Sequence, residues 1–131
     1  MRQGLEVMGS QLNDARKQDL GTASFPNWMY ELLLVSREVQ HTIDHLSKWM
    51  SATSVDNPAV TGISESYILK EPLGVVSVLG SWNYPYLTVL CPLVSVIAAG
   101  NCAIIKPSEL SPWSSTQLKN FVARYLDTSC F

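Results

Sequence analysis

Between Leu73 and Tyr125 two kinds of apolar pattern alternate, and that alternation restricts the fold more than any other feature of the chain. "LGVVSVLG" is a short, nearly continuous β-branched run, as expected of a strand covered on both faces in a parallel sheet. "YLTVLCPLVSVIAAGN" reads as a helix that is apolar all round, kinked or restarted at Pro92 and closed by Gly100. "CAIIKP" is a second buried strand, stopped by Pro107. "SPWSSTQLKNFVARYLD" then reads as an amphipathic helix, with Ser111 at the N-cap, Pro112 at the first helical position and Leu118, Phe121, Val122 and Tyr125 on one face. Strand, helix, strand, helix is the order of a Rossmann-like α/β sheet with right-handed crossovers. Two strands leave an open edge, so the expectation is an incomplete sheet, the first βαβα unit of a larger domain.

The segment before it is helical. Leu5, Met8, Leu12 and Ala15 recur at helical spacing, and Gly21 is placed as a C-cap. From about Phe25 to Met50, residues Met29, Leu32, Leu33, Val39, Ile43, Leu46 and Trp49 form an apolar stripe, with Glu31, Arg37, Glu38, Asp44 and Lys48 largely off it. "SATSVDNPAVTG" is loop chemistry, and "ISESYILKEPLG" is a pair of short strands or an extended arm. The expected division is a helical region and arm over 1–72, then the first half of an α/β domain over 73–131.

Charge and cysteine content narrow the function. Nine basic against eleven acidic residues, without long runs, argue against nucleic acid as a partner. No stretch reaches the length of a membrane span, and Cys91, Cys102 and Cys130 match no zinc or disulfide framework. They read as small buried hydrophobes of a reducing, cytoplasmic compartment. "HTIDH" sets His41 and His45 one helical turn apart, but Thr42 stands where a zinc helix needs glutamate, so no metal site is assigned.

Ligands of open α/β sheets bind beyond the carboxyl ends of the strands. "GSWNYP" after the first strand and "KPSE" after the second lie there. The G-x-G-x-x-G fingerprint is absent, so spacing alone does not separate a ligand site from a structural turn. An asparagine at position 83 also serves as an ordinary Asx-turn residue, and Lys106 and Glu109 as solvent-facing charges, the latter favoured at a helix start.

The stretch "EPLGVVSVLGSWNYPYLTVLCPLVSVIAAGNCAIIKPSELSP" resembles the first half of the cofactor domain of aldehyde dehydrogenases, in particular the class 3 or fatty-aldehyde branch, with EPLGVV, WNYP, AAGN and KPSE in this order. The resemblance implies that Asn83 donates its amide to the oxyanion formed when a cysteine thiolate adds to an aldehyde. It implies that Lys106 and Glu109 hold the adenosine ribose of NAD or NADP. Leu79, Gly80, Ser81 and Trp82 would line the cofactor cleft, Pro107 and Ser108 would shape its ribose end, and Tyr84 and Pro85 would set the turn.

The implied activity is oxidation of medium- or long-chain aliphatic or aromatic aldehydes to acids by a parent enzyme, a homodimer, of which this is an N-terminal fragment. The nucleophilic cysteine and glutamate base that this chemistry needs match no residue here, so the expectation is a chain inactive alone. The alternative is a catalytically inactive binding or interaction module.

Overall fold

The computed structural model describes residues 1–56 and 64–131. Residues 57–62 of the loop reading over 51–62, and residue 63 of the expected arm, lie outside the described residues. Helix α1 (Arg2–Leu20) buries Leu5, Met8, Leu12 and Ala15 as the spacing expects. It ends at Gly21, whose φ of 66° suits a residue without a Cβ and whose N–H reaches Lys17 O at 2.9 Å.

The second helix is not one regular element. It comprises α2 (Ser24–Asn27), a π turn (Trp28–Leu32) and α3 (Leu33–Met50). The π turn changes the phase of the helix surface between its two parts. Asn27, Glu31, Leu32, Val35, Val39 and Thr42 are the buried positions, while Met29, Ile43 and Trp49 of the expected stripe are exposed. Glu31, placed off the stripe by regular spacing, has no exposed surface.

Two short strands follow. β1 (Thr53–Val55) pairs antiparallel with β2 (Ser66–Ile68), Ser54 opposite Tyr67. β2 falls within the expected arm, but β1 corrects a loop assignment. Three residues are too few to show strand periodicity, and their partner lies beyond a turn-like composition.

Strand β3 (Val75–Leu79), helix α4 (Leu87–Ala98), strand β4 (Cys102–Lys106) and helix α5 (Pro112–Tyr125) complete the chain. β3 and β4 pair in parallel, from Val75 opposite Cys102 to Leu79 opposite Lys106. α4 runs unbroken through Pro92. It closes with Gly100 N–H on Ile97 O and Asn101 N–H on Val96 O, both 3.0 Å, the paired bonds of a Schellman stop, with Gly100 at φ 73°. The buried Asn101 side chain accepts from Gly74 N–H at 2.9 Å, tying the starts of the two strands together.

Coverage of the sheet departs from expectation. Val78 and Ala103 are buried on the face that meets α4, but Val75, Leu79 and Ile104 on the other face are 67%, 71% and 64% exposed. Strands that read as covered on both faces are covered on one, and α5 packs along α1. At that crossing a Cβ on Gly4 would lie 2.7 Å from the rings of Phe121 and Tyr125, so only glycine allows the approach. Leu12, Val35, Tyr86, Leu90, Leu93 and Phe121 belong to a single buried cluster that draws on the chain before and after residue 72.

Ser111 occupies the N-cap position of α5 but makes no side-chain cap. Asp19, at the end of α1, takes that role: its carboxylate accepts from Trp113 N–H at 3.1 Å and Ser114 N–H at 2.7 Å. A carboxylate outcompetes a hydroxyl here because it adds charge at the positive end of the helix. Asp19→Ala is expected to lower stability by about 1–2 kcal/mol, more than Ser111→Ala, as read by urea denaturation of the two variants.

Candidate functional site

The parallel pairing of β3 and β4 places their carboxyl ends side by side. Gly80 N–H donates to Lys106 O at 2.9 Å, so the turn 80–86 and the turn 106–111 leave the sheet from adjoining points. Gly80 is required for this: a Cβ there would lie 2.4 Å from Val89 Cγ2, inside the closest contact real side chains make. Beyond it, Ser81 N–H donates to Thr88 Oγ1 at 2.9 Å, and Thr88 Oγ1 donates to Tyr84 O at 2.8 Å. The turn is thereby pinned to the first turn of α4.

Within that turn Pro85 and Tyr86 are buried, whereas Trp82, Asn83 and Tyr84 are exposed. The Tyr86 hydroxyl donates to Leu12 O of α1 at 2.7 Å, and burial raises its pKa well above the ordinary tyrosine value. The Asn83 backbone carbonyl accepts from Arg16 Nη2 at 3.4 Å. Its carboxamide makes no hydrogen bond among the described residues, leaving both amide hydrogens unspent.

Arg16 and Glu31 form the buried ion pair behind this turn. Glu31 Oε2 accepts from Tyr86 N–H at 2.8 Å and Leu87 N–H at 3.0 Å, so its carboxylate caps α4 from another helix. Arg16 also donates to Thr22 Oγ1 at 2.6 Å and lies 6.0 Å from the centre of the Tyr84 ring. Burial pushes the Glu31 carboxyl above its ordinary value, opposed by the Leu87 amide, the Arg16 charge and the Tyr86 amide. Regular spacing missed Glu31, yet its separation of four from Val35 and of eight from Val39 was a signal that it shares their face. Arg16 had a comparable signal in its place beside Ala15 and four residues after Leu12.

The second turn is open. Lys106 Nζ meets Glu109 Oε2 at 2.8 Å, with both side chains mostly in solvent, and the hydrogen bond from Lys106 holds the Glu109 carboxyl below its ordinary value. Lys106, Pro107, Ser108, Glu109, Pro112 and Ser115 line a depression of about 660 Å³, within the range of small-molecule sites. Ser108 is buried and organises the loop: its Oγ accepts from Leu110 N–H at 3.2 Å, and its carbonyl accepts from Ser115 Oγ at 2.9 Å. Leu79 is exposed at the strand end, opposite Lys106. All nine residues singled out in the sequence, Leu79 to Asn83 and Lys106 to Glu109, thus sit at one end of the sheet. His41 and His45 lie elsewhere, on the exposed face of α3, with ring centres 4.2 Å apart.

Residues 8–126 match the model of the aldehyde dehydrogenase family. Mouse aldehyde dehydrogenase family 3 member B3 is 40% identical over 127 residues, 97% of this chain and 26% of that protein. Aldehyde dehydrogenase family 3 comG of Dictyostelium discoideum is 42% identical over 117 residues, 89% of this chain and 25% of that protein. The chain therefore spans about a quarter of the length of the curated relatives it matches. A substrate-bound structure of Staphylococcus aureus AldH superposes with a TM-score of 0.95 at 32% identity, covering 98% of this chain and 28% of that one. Succinic semialdehyde dehydrogenase from Streptococcus pyogenes, solved with NADP+, has the same fold at TM-score 0.79 and 18% identity, over 93% of this chain and 26% of its own.

Removing one partner of the buried pair leaves the other charge without a counterion. Glu31→Gln is expected to cost about 3 kcal/mol or more, and a double-mutant cycle with Arg16→Met should return a coupling energy of about 1 kcal/mol or more in denaturant titrations. At the second turn, the Glu109 carboxyl should titrate below the usual glutamate value of about 4.3, and Lys106→Met should move the midpoint upward in carbon-detected NMR.

Proposed function

We propose, from the premise that this chain belongs to the aldehyde dehydrogenase family, that its two strand-end turns form part of the cofactor and substrate site of an NAD(P)-dependent aldehyde dehydrogenase. The observation that carries this reading is the convergence of the Asn83 turn and the Lys106–Glu109 turn at the carboxyl ends of two paired parallel strands. The substrates of such an enzyme are aliphatic aldehydes of medium or long chain, or aromatic aldehydes.

The residues present suit a dinucleotide. Glu109 is an exposed carboxylate, kept ionised by Lys106, beside an open depression, and a carboxylate accepts hydrogen bonds from ribose hydroxyls. Pro107 and Ser108 shape that end, and Leu79, Gly80, Ser81 and Trp82 line the approach from β3. When bound, NAD(P) supplies a hydride acceptor for the aldehyde carbon. The protein's part at the reacting carbon is an amide donor: the uncommitted carboxamide of Asn83 would stabilise the oxygen that turns negative when a thiolate adds to the carbonyl. Loss of one such donor typically costs about 2.7–4 kcal/mol in the transition state.

The attacking thiol and the general base have no counterpart in this chain. Burial raises the Cys91 thiol, and a hydrogen bond to Cys130 raises that of Cys102, so neither is an activated thiolate. The exposed face of Val75, Leu79 and Ile104 favours a second reading, a non-catalytic interaction piece.

Amide NMR of the chain with adenosine nucleotides tests the assignment. Added 5′-AMP is expected to shift Lys106, Ser108, Glu109 and Ser115 selectively, and Glu109→Ala should weaken those shifts. Unchanged resonances at these four positions, with or without shifts elsewhere, would remove the ribose site. With aldehyde and NAD(P) the same chain should produce no absorbance at 340 nm.

A further inference from the structure

Cys102 opens β4 and Cys130 lies in the turn after α5, yet their sulfurs stand 2.7 Å apart, with the Cys102 thiol donating. The backbone holds them there. Cys102 N–H points toward β3, to Gly74 O at 2.9 Å, so by strand alternation the next amide points to the outer edge. That amide, Ala103 N–H, donates to Cys130 O at 2.9 Å. Cys130 N–H in turn donates to Asp127 O at 3.0 Å, and Asp127 Oδ1 fixes the turn by accepting from Ser129 N–H and Oγ at 2.9 and 2.7 Å. Both thiols are half-buried, within reach of a small reagent. Cys91, on α4, has no sulfur partner and serves as an internal comparison.

We propose that Cys102 and Cys130 are an oxidisable dithiol, converted by a peroxide-class oxidant into an intramolecular disulfide that staples the segment 127–131 to the outer edge of β4. Cys102, whose S–H is directed at the Cys130 sulfur, takes the second, resolving step. In the first step the Cys130 thiolate attacks one peroxide oxygen. The O–O bond breaks, hydroxide leaves and takes up a proton to become water, and Cys130 becomes a sulfenic acid. In the second the Cys102 sulfur attacks that sulfenic sulfur, the S–S bond forms, the S–O bond breaks, and water departs with the proton from Cys102. Two thiols and one hydrogen peroxide give one disulfide and two waters. No other reductant or oxidant enters.

Peptide mapping by mass spectrometry without reductant tests this after equimolar hydrogen peroxide and alkylation under denaturing conditions. The unmodified sequence should lose two hydrogens, show Cys102 linked to Cys130 within one chain, and retain an alkylated Cys91. Cys91→Ser should behave identically. Cys102→Ser should stop at a Cys130 sulfenic acid trapped by a dimedone reagent, and Cys130→Ser should leave Cys102 alkylatable. The proposal fails if the links run between chains or through Cys91, or if Cys102 and Cys130 are oxidised no faster than Cys91. The unmodified chain alone decides this, whatever the serine substitutions do to folding.

Discussion

A buried carboxylate at Glu31 ties the two parts of this molecule together. One of its oxygens faces Arg16 of α1, and the other accepts the amide hydrogens of Tyr86, the N-cap of α4, and of Leu87, its first residue, which no residue of α4 itself can satisfy. Arg16 passes the constraint on by donating to the carbonyl of Asn83. Three helices and the turn after β3 therefore share one buried polar junction. Desolvating two charges is expensive, and such a pair is a poor source of net stability compared with apolar packing. Its contribution is positional: it fixes where the Asn83 turn sits relative to the helices.

The same logic recurs at the other helix start. Asp19 caps α5 across 94 positions of sequence, and the Tyr86 hydroxyl reaches Leu12 O across 74. In each case a polar group that α4 or α5 cannot satisfy locally is met by the N-terminal helices. The α1–α5 crossing, close enough to demand Gly4, brings Asp19 to its place. The consequence is that the turns are hydrogen-bonded to the helices from behind, while Trp82, Asn83, Lys106 and Glu109 in front are exposed.

The meeting of the two turns at one end of the sheet was legible in the sequence because it rests on short-range rules. Two β-branched runs separated by an apolar helix imply parallel neighbours, and parallel neighbours imply that "GSWNYP" and "KPSE" emerge at one end. Gly21 and Gly100 announced their helix stops for the same reason, since both adopt positive φ. What supports the site was less legible. A π turn at Trp28–Leu32 changed the helix phase and moved Glu31 inside. Asp19 as the cap of α5 leaves no local trace, and the sequence pointed to Ser111 instead. The strand faces that read as buried are half open: Val78 and Ala103 are covered, while Val75, Leu79 and Ile104 are exposed.

Amide hydrogen exchange at Tyr86 and Leu87 tests the junction most directly. If Glu31 holds these two N–H groups, their protection should match that of Leu90 in the buried core. Replacing Glu31 with glutamine should then release Tyr86, Leu87 and Ser81 while leaving Cys102 and Ile104 of β4, whose amides face β3, protected. Fast exchange at Tyr86 and Leu87 in the unmodified chain, or an equal loss of protection at every position in the variant, would contradict the account.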